Sequence, residues 1–206
     1  MNANWPIPLI AYFLGSIPFG VLIAKALGGP DVRSVGSGNI GAANVARTAG
    51  PIAGVLTLLF DAGKGYLAVW TALHWTHHGS SSARWMIVAA VFAVVGHVFP
   101  VWLRFKGGKG VATMFGSFIP ISWFAVAAAV AVWILVVAFW RYSSLASMAA
   151  AAALPVLIYL FYAPRHAPPE SVTYGTVFVS LLVLLKHSDN LRRLAAGTEN
   201  RLNFRR

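Results

Sequence analysis

Cysteine is absent from this 206-residue chain, which excludes disulfides, thiolate nucleophiles and cysteine-based metal sites. Acidic side chains are nearly as scarce: five Asp and Glu stand against sixteen Lys and Arg, a net charge of +11. Charged residues of both signs make up only 10% of the chain while 58% is hydrophobic, and the mean hydropathy is +0.71. A soluble domain needs more charge than this to cover its surface, so the solvent is largely lipid. On so apolar a chain the surplus cations fit loops beside anionic lipid and phosphorylated substrates better than they fit nucleic acid.

What the sequence has in abundance is long apolar runs. A helix crossing the hydrocarbon core needs roughly 20 mostly apolar residues. Segments 5–27, 51–75, 84–103, 121–140, 148–163 and 172–186 meet or approach that length, and 111–120 is a further apolar piece interrupted by Gly116 and Pro120. No basic region precedes the first stretch, which therefore reads as a retained span rather than a cleaved signal peptide. Lys and Arg concentrate in 25–47, in 104–109, at Arg141 and in the tail 186–206. The connections 76–83 and 164–171 carry one basic residue between them, Arg165, with Arg84 at the edge. Cations favour the cytoplasmic side, and the basic segments share one side only if 111–120 crosses or re-enters the membrane. The expected fold is an all-α integral membrane protein, a single-domain bundle of seven transmembrane helices over residues 1–206. Its N-terminus lies outside and its C-terminus in the cytoplasm.

Polar residues that a membrane protein normally avoids collect in three places. The first is Gly36-Ser37-Gly38-Asn39-Ile40-Gly41 followed by Asn44 and Arg47, where exposed backbone N–H groups and side-chain donors outline a phosphate cradle. The run also fits G-x-G-x-x-G with Asp61 twenty residues after Gly41. A dinucleotide fingerprint needs a strand before it and a βαβ unit around it, and here the flanks are membrane spans. The second place is Arg104-Phe105-Lys106-Gly107-Gly108-Lys109-Gly110 with Thr113, just before an apolar helix. Ammonium groups and a helix N-terminus there would hold an anionic headgroup, although the Walker A order is missing. The third combines Ser143, Ser144 and Ser147 with the tail from Lys186 to Arg193, where His187 and Asn190 share a helix face.

Other residues admit blander readings. Asp61 and Lys64, inside the second apolar segment, have the spacing of a pair across one helical turn; such intramembrane charges mark either a site or a neutralised structural pair. His97 reads first as a packed, hydrogen-bonded histidine. His74, His77 and His78 lack a nearby carboxylate and read as incidental, so no metal is expected. Two readings from other classes stand beside an enzyme: a transporter for small organic anions, and a lipid-binding scaffold. Polar residues at span ends rather than at mid-membrane, and the absence of an evident internal repeat, weigh against transport.

The strings GSIPFG (15–20), GSGNIGAANVAR (36–47), FDAGKG (60–65), GHVFPVWLRFKGGKGVAT (96–113), SLAS (144–147) and KHSDNLRRLAAGTEN (186–200) resemble the bacterial acyl-phosphate-dependent glycerol-3-phosphate acyltransferases, the PlsY family. They occur in the family's order over nearly the whole chain. The resemblance implies a seven-span enzyme of the bacterial inner membrane with its active site at the cytoplasmic face. There it esterifies the 1-hydroxyl of glycerol 3-phosphate from acyl phosphate, giving lysophosphatidic acid and phosphate, the first step of phospholipid synthesis. The implied partners are those two substrates, membrane lipid and, transiently, the enzyme that makes acyl phosphate; no nucleic acid, cofactor or metal is implied. Ser37, Gly38, Asn39, Asn44, Arg47, Lys106, Gly107, Gly108, Lys109, Gly110 and Ser144 would bind substrate, and His187 and Asn190 would be catalytic. Ala43 and Leu191 depart from the Thr and Ile of many members. None of the six histidines is followed by Asp five positions on, the arrangement of acyltransferases that use acyl-CoA or acyl carrier protein, so neither of those donors is expected.

Overall fold

A computed structural model describes residues 4–77, 81–162 and 167–202; His78 and Arg165 lie outside them. All regular structure among the described residues is helical. Five helices there are long and apolar enough to cross a membrane, or six if the bent pair Glu170–Leu185 and Ser188–Ala195, 51° apart, counts as one span. Leu59, Phe139, Val156 and Leu181 are among many large apolar side chains that stand exposed, a surface that only lipid can cover. Trp70 and Trp75, Trp123 and Phe124, and Phe139 and Trp140 are exposed near helix ends, where amphipathic rings favour the membrane–water interface. The chain is a multi-pass membrane protein.

The chain divides into two compact units, residues 1–121 and 122–206. The first contains α1 (Pro6–Ser16), α2 (Phe19–Ala26), α3 (Ala42–Ala49), α4 (Pro51–Trp75), α5 (Ser82–Val98) and α6 (Val111–Phe118). The expected span 5–27 is two helices, because Pro18 lacks an N–H and drives Ile17 to extended backbone (φ −60°, ψ 118°). The expected 51–75 coincides with α4, whose Pro51 occupies the first helical position, where a missing N–H costs nothing. The second unit contains α7 (Trp123–Trp140), α8 (Ser143–Phe161), α9 (Glu170–Leu185) and α10 (Ser188–Ala195). Ser122 caps α7, accepting from the Ala125 N–H while its hydroxyl donates to the Phe161 carbonyl. Arg141 ends α7 in the left-handed region, and α8 begins at Ser143 rather than near 148, so this span is longer than its apolar run suggests.

Residues 111–120 hold only α6, whose eight residues rise about 12 Å, well under half of a hydrocarbon core of about 30 Å. It is packed into the first unit with almost no separation from α4: a Cβ on Gly116 would run into the Ala62 carbonyl, and one on Gly65 into the Thr113 carbonyl. Close backbone approach of this kind is how membrane helices gain dispersion contact. A Gly116→Val substitution is therefore expected to wedge α6 off α4 and cost about 2 kcal/mol, read as a lower melting temperature in detergent. The same device joins α1 to α5, with Gly15 against Ala93 and Gly96 against Tyr12.

Candidate active site

In the first unit, the connection between α2 and α3 is folded around one side chain. Asn44, on the first turn of α3 and 2% exposed, accepts the Ser37 N–H on Oδ1 at 2.8 Å. Its Nδ2 donates to the carbonyls of Val32 (2.9 Å), Asn39 (2.9 Å) and Val35 (3.2 Å). Gly36 and Gly38 take left-handed φ of +62° and +68°, which lets the chain wrap this amide without Cβ strain. The amide hydrogens of Asn44 thus point into the loop. Its side chain shapes the cradle from within. Asn39 turns its own carbonyl oxygen back onto the Gly41 N–H at 2.9 Å. Ser37, Gly38 and Arg47 are left exposed on the outer side. Asn44→Ala would strand three carbonyls and an N–H, so it is expected to cost about 2 kcal/mol. Hydrogen exchange of residues 32–41 should accelerate in that variant while α4 is unchanged.

The second glycine segment follows α5 and a 3-10 turn at Val101–Leu103. Arg104 and Phe105 both take positive φ, 52° and 63°, and the Phe105 N–H closes back on the Pro100 carbonyl at 2.9 Å. That turn brings Gly107 and Gly108 against the end of α5, where their N–H groups donate to the Val98 and His97 carbonyls, each at 3.1 Å. In this arrangement the two N–H groups fasten the segment to α5. The donors that remain for an anion come from the next turn. Met114 is the first residue of α6 whose N–H reaches a helical acceptor, the Gly110 carbonyl at 2.7 Å, so the N–H groups of 111–113 have none within the helix. Lys106, exposed, and Lys109, half-buried, flank that N-terminus, and the combination suits a phosphate.

Beneath the segment lies a buried polar cluster. Asp61 and Lys64 form an ion pair at 2.7 Å, Lys64 donates to the Ile17 carbonyl at 2.7 Å, and His97 Nδ1 lies 3.6 Å from Asp61 Oδ1. Thr113 Oγ1 is 3.1 Å from the same His97 nitrogen. The expected helical-turn pair is present, and it has a third member that spacing did not reveal.

The second unit is organised by Glu199, which sequence reasoning passed over. Its Oε1 accepts from Ser144 Oγ and Asn190 Nδ2, and its Oε2 from Arg193 Nε, each at 2.7 Å. Burial disfavours the carboxylate, but these three donors outweigh it and hold the carboxyl below its ordinary value. Because the Ser144 hydroxyl donates to Glu199, its oxygen can only accept from anything else. His187, 3% exposed at the start of α10, donates from Nδ1 to the Val183 carbonyl at 2.7 Å. In the neutral ring this leaves Nε2 as the proton-accepting nitrogen. The only hint of Glu199 in the sequence was that it and Asp189 are the two carboxylates of a tail crowded with arginine.

The tail is tied down a second time. The Leu202 N–H donates to the Arg141 carbonyl at 2.7 Å, and Arg141 returns Nε and Nη2 to the Leu202 carbonyl at 3.0 and 2.8 Å. As for metals, His74 stacks on Trp70 and bonds its carbonyl, and among the described residues no cluster of three ligating side chains exists.

Residues 5–197 match the family model for glycerol-3-phosphate acyltransferase. The chain belongs to that family. Among the glycerol-3-phosphate acyltransferases, it is 47% identical over 201 residues to the protein of Syntrophotalea carbinolica, covering 98% of each chain. It is 49% identical over 192 residues to that of Trichlorobacter lovleyi, covering 93% of each. Its fold is similar to the crystal structure of PlsY (YgiH), an integral membrane glycerol 3-phosphate acyltransferase, in its glycerol 3-phosphate form. That match has a TM-score of 0.88 at 34% identity, over 97% of this chain and 96% of that one. The lysophosphatidic acid form of the same acyltransferase matches with a TM-score of 0.86 at 33% identity, over 97% and 95% of the two chains.

Proposed function

We propose that this protein transfers an acyl group from acyl phosphate to the 1-hydroxyl of glycerol 3-phosphate, releasing lysophosphatidic acid and inorganic phosphate. The observation that carries the reading is the full-length likeness to a membrane acyltransferase solved once with glycerol 3-phosphate and once with lysophosphatidic acid, a substrate and product that differ by one acyl group. Acyl phosphate as donor fits a chain without cysteine, because a mixed anhydride is already activated and needs no covalent acyl-enzyme.

In the proposed reaction the glycerol oxygen attacks the acyl carbonyl carbon, its proton passes to His187 Nε2, and the carbon–oxygen bond to phosphate breaks with the electron pair leaving on phosphate. Arg47, Ser37 and Gly38 of the first loop, with Lys106, Lys109 and the α6 N-terminus, hold phosphate groups; this is stabilisation by position and charge. Ser144 accepts from a glycerol hydroxyl, and Asn190 orients the carbonyl. Glycine and alanine leave space between helices for the acyl chain. The excess of Lys and Arg in 25–47, 104–109 and 186–206 supports the seven-span arrangement in a bacterial inner membrane with these loops in the cytoplasm. There they would also meet the enzyme that makes acyl phosphate.

The test is purified protein in detergent and EDTA with labelled glycerol 3-phosphate and either palmitoyl phosphate or palmitoyl-CoA. Lysophosphatidate from palmitoyl phosphate alone is the expected result. Product from palmitoyl-CoA overturns the donor, and binding without product turns the reading to transport.

A further inference from the structure

The mechanism leaves Asp61, Lys64 and His97 unused, although all three are buried, at 2%, 4% and 3% exposure. Charges inside a membrane protein are expensive and persist where they do work. We propose that these three residues are positioning residues: they brace the two anion-holding loops of the first unit, through His97 to Gly107–Thr113 and through Lys64 to the α1–α2 break. The proposal rests on the acyltransferase reading above for what those loops bind.

The argument follows the contacts outward from the ion pair. Lys64 has two partners: it is ion-paired with Asp61 Oδ1 and donates to the Ile17 carbonyl, each at 2.7 Å. The Ile17 carbonyl lies at the helix break before Pro18, so Lys64 fixes the point from which α2 departs. Three residues on, Gly20 lies against the Ile40 carbonyl so closely that no Cβ fits, and Ile40 is buried with Ala24, Val32, Val45 and Ala53. The position of α2 therefore sets the position of the Gly36–Gly41 loop.

The other direction runs through His97. Its ring nitrogen Nδ1 faces both Asp61 and Thr113, and Nε2 lies against Gly108, where a Cβ would collide with it. Its carbonyl accepts the Gly108 N–H at 3.1 Å. Thr113 belongs to the first turn of α6, the turn whose N–H groups have no acceptor within the helix. Rotation of the imidazole would thus move both Gly108 and that turn. One carboxylate, Asp61, orients the ammonium and the imidazole together, so neither loop moves without disturbing the other.

Bracing by this cluster predicts a loss of substrate affinity without loss of fold. Thr113→Val keeps the shape and removes the hydroxyl beside His97. It is expected to melt within a few degrees of wild type, to weaken glycerol 3-phosphate about tenfold in KM and in calorimetric Kd, and to leave kcat within about threefold. Asp61→Asn with Lys64→Met removes both charges at once, leaving no buried charge unpaired, and is expected to show the same signature more strongly. A folded Thr113→Val protein with wild-type KM and Kd overturns the proposal, and this variant decides the matter if the double variant does not fold. If wild type binds glycerol 3-phosphate without making lysophosphatidate, the acyltransferase reading fails by itself, while the Kd comparison still decides the bracing.

Discussion

A His187→Asn variant is expected to fold like wild type and to lose about a thousandfold in kcat. The asparagine amide can replace the Nδ1–H that donates to the Val183 carbonyl, so the local structure keeps its hydrogen bond. It brings no basic nitrogen to the position of Nε2. His187→Ala removes both functions and is expected to lose the same activity with some loss of stability besides. The comparison separates a base from a spacer: steady-state assays with palmitoyl phosphate would give near wild-type kcat for His187→Asn if a substrate phosphate takes the proton instead. That result would remove His187 from the proton transfer.

The second large effect concerns Glu199, whose side chain is 7% exposed. Glu199→Ala leaves Ser144, Asn190 and Arg193 with donors aimed at nothing, and is expected to cost about 3 kcal/mol and to abolish activity. The same carboxylate makes stability depend on pH. Burial opposes its charge, but hydrogen bonds from Ser144, Asn190 and Arg193 lower its folded value below the ordinary 4.5, so protons bind the unfolded chain more readily than the folded one. Its contribution is complete above 4.5 and declines as the pH falls through the lowered folded value. Melting temperatures of wild type and Glu199→Gln should therefore differ at neutral pH and converge in acid. A gap that stays constant down to the acid limit would show that the carboxylate charge is not what holds the tail.

Much of this molecule was legible in its sequence because the membrane imposes simple rules. The run from Pro51 to Trp75 is apolar, starts with proline and has no other stop signal, and it is one helix. Asp61 and Lys64 sit three apart, and in a helix three apart is contact. What spacing could not convey is contact between distant segments: His97 joins Asp61 across 36 positions, and Glu199 reaches Ser144 across 55. The glycine-rich loops were recognisable as loops, but which N–H groups face inward was not. That depends on Asn44 and the end of α5, which use up the donors of Ser37, Gly107 and Gly108. The seven-crossing count rested on 111–120, where apolarity and glycine spacing say nothing about how far eight helical residues reach.

The reciprocal clasp between Arg141 and Leu202, with Glu199 beside it, also bears on how the protein is made. Ser144 and Asn190 lie upstream in the chain, yet the residues that hold them come at 199–202. Until residues 199–202 have emerged and docked, Ser144 and Asn190 lack the carboxylate that fixes them. Order in the second unit is therefore set late in synthesis, and a chain truncated just before Glu199 would keep Ser144 and Asn190 but not the carboxylate that joins them.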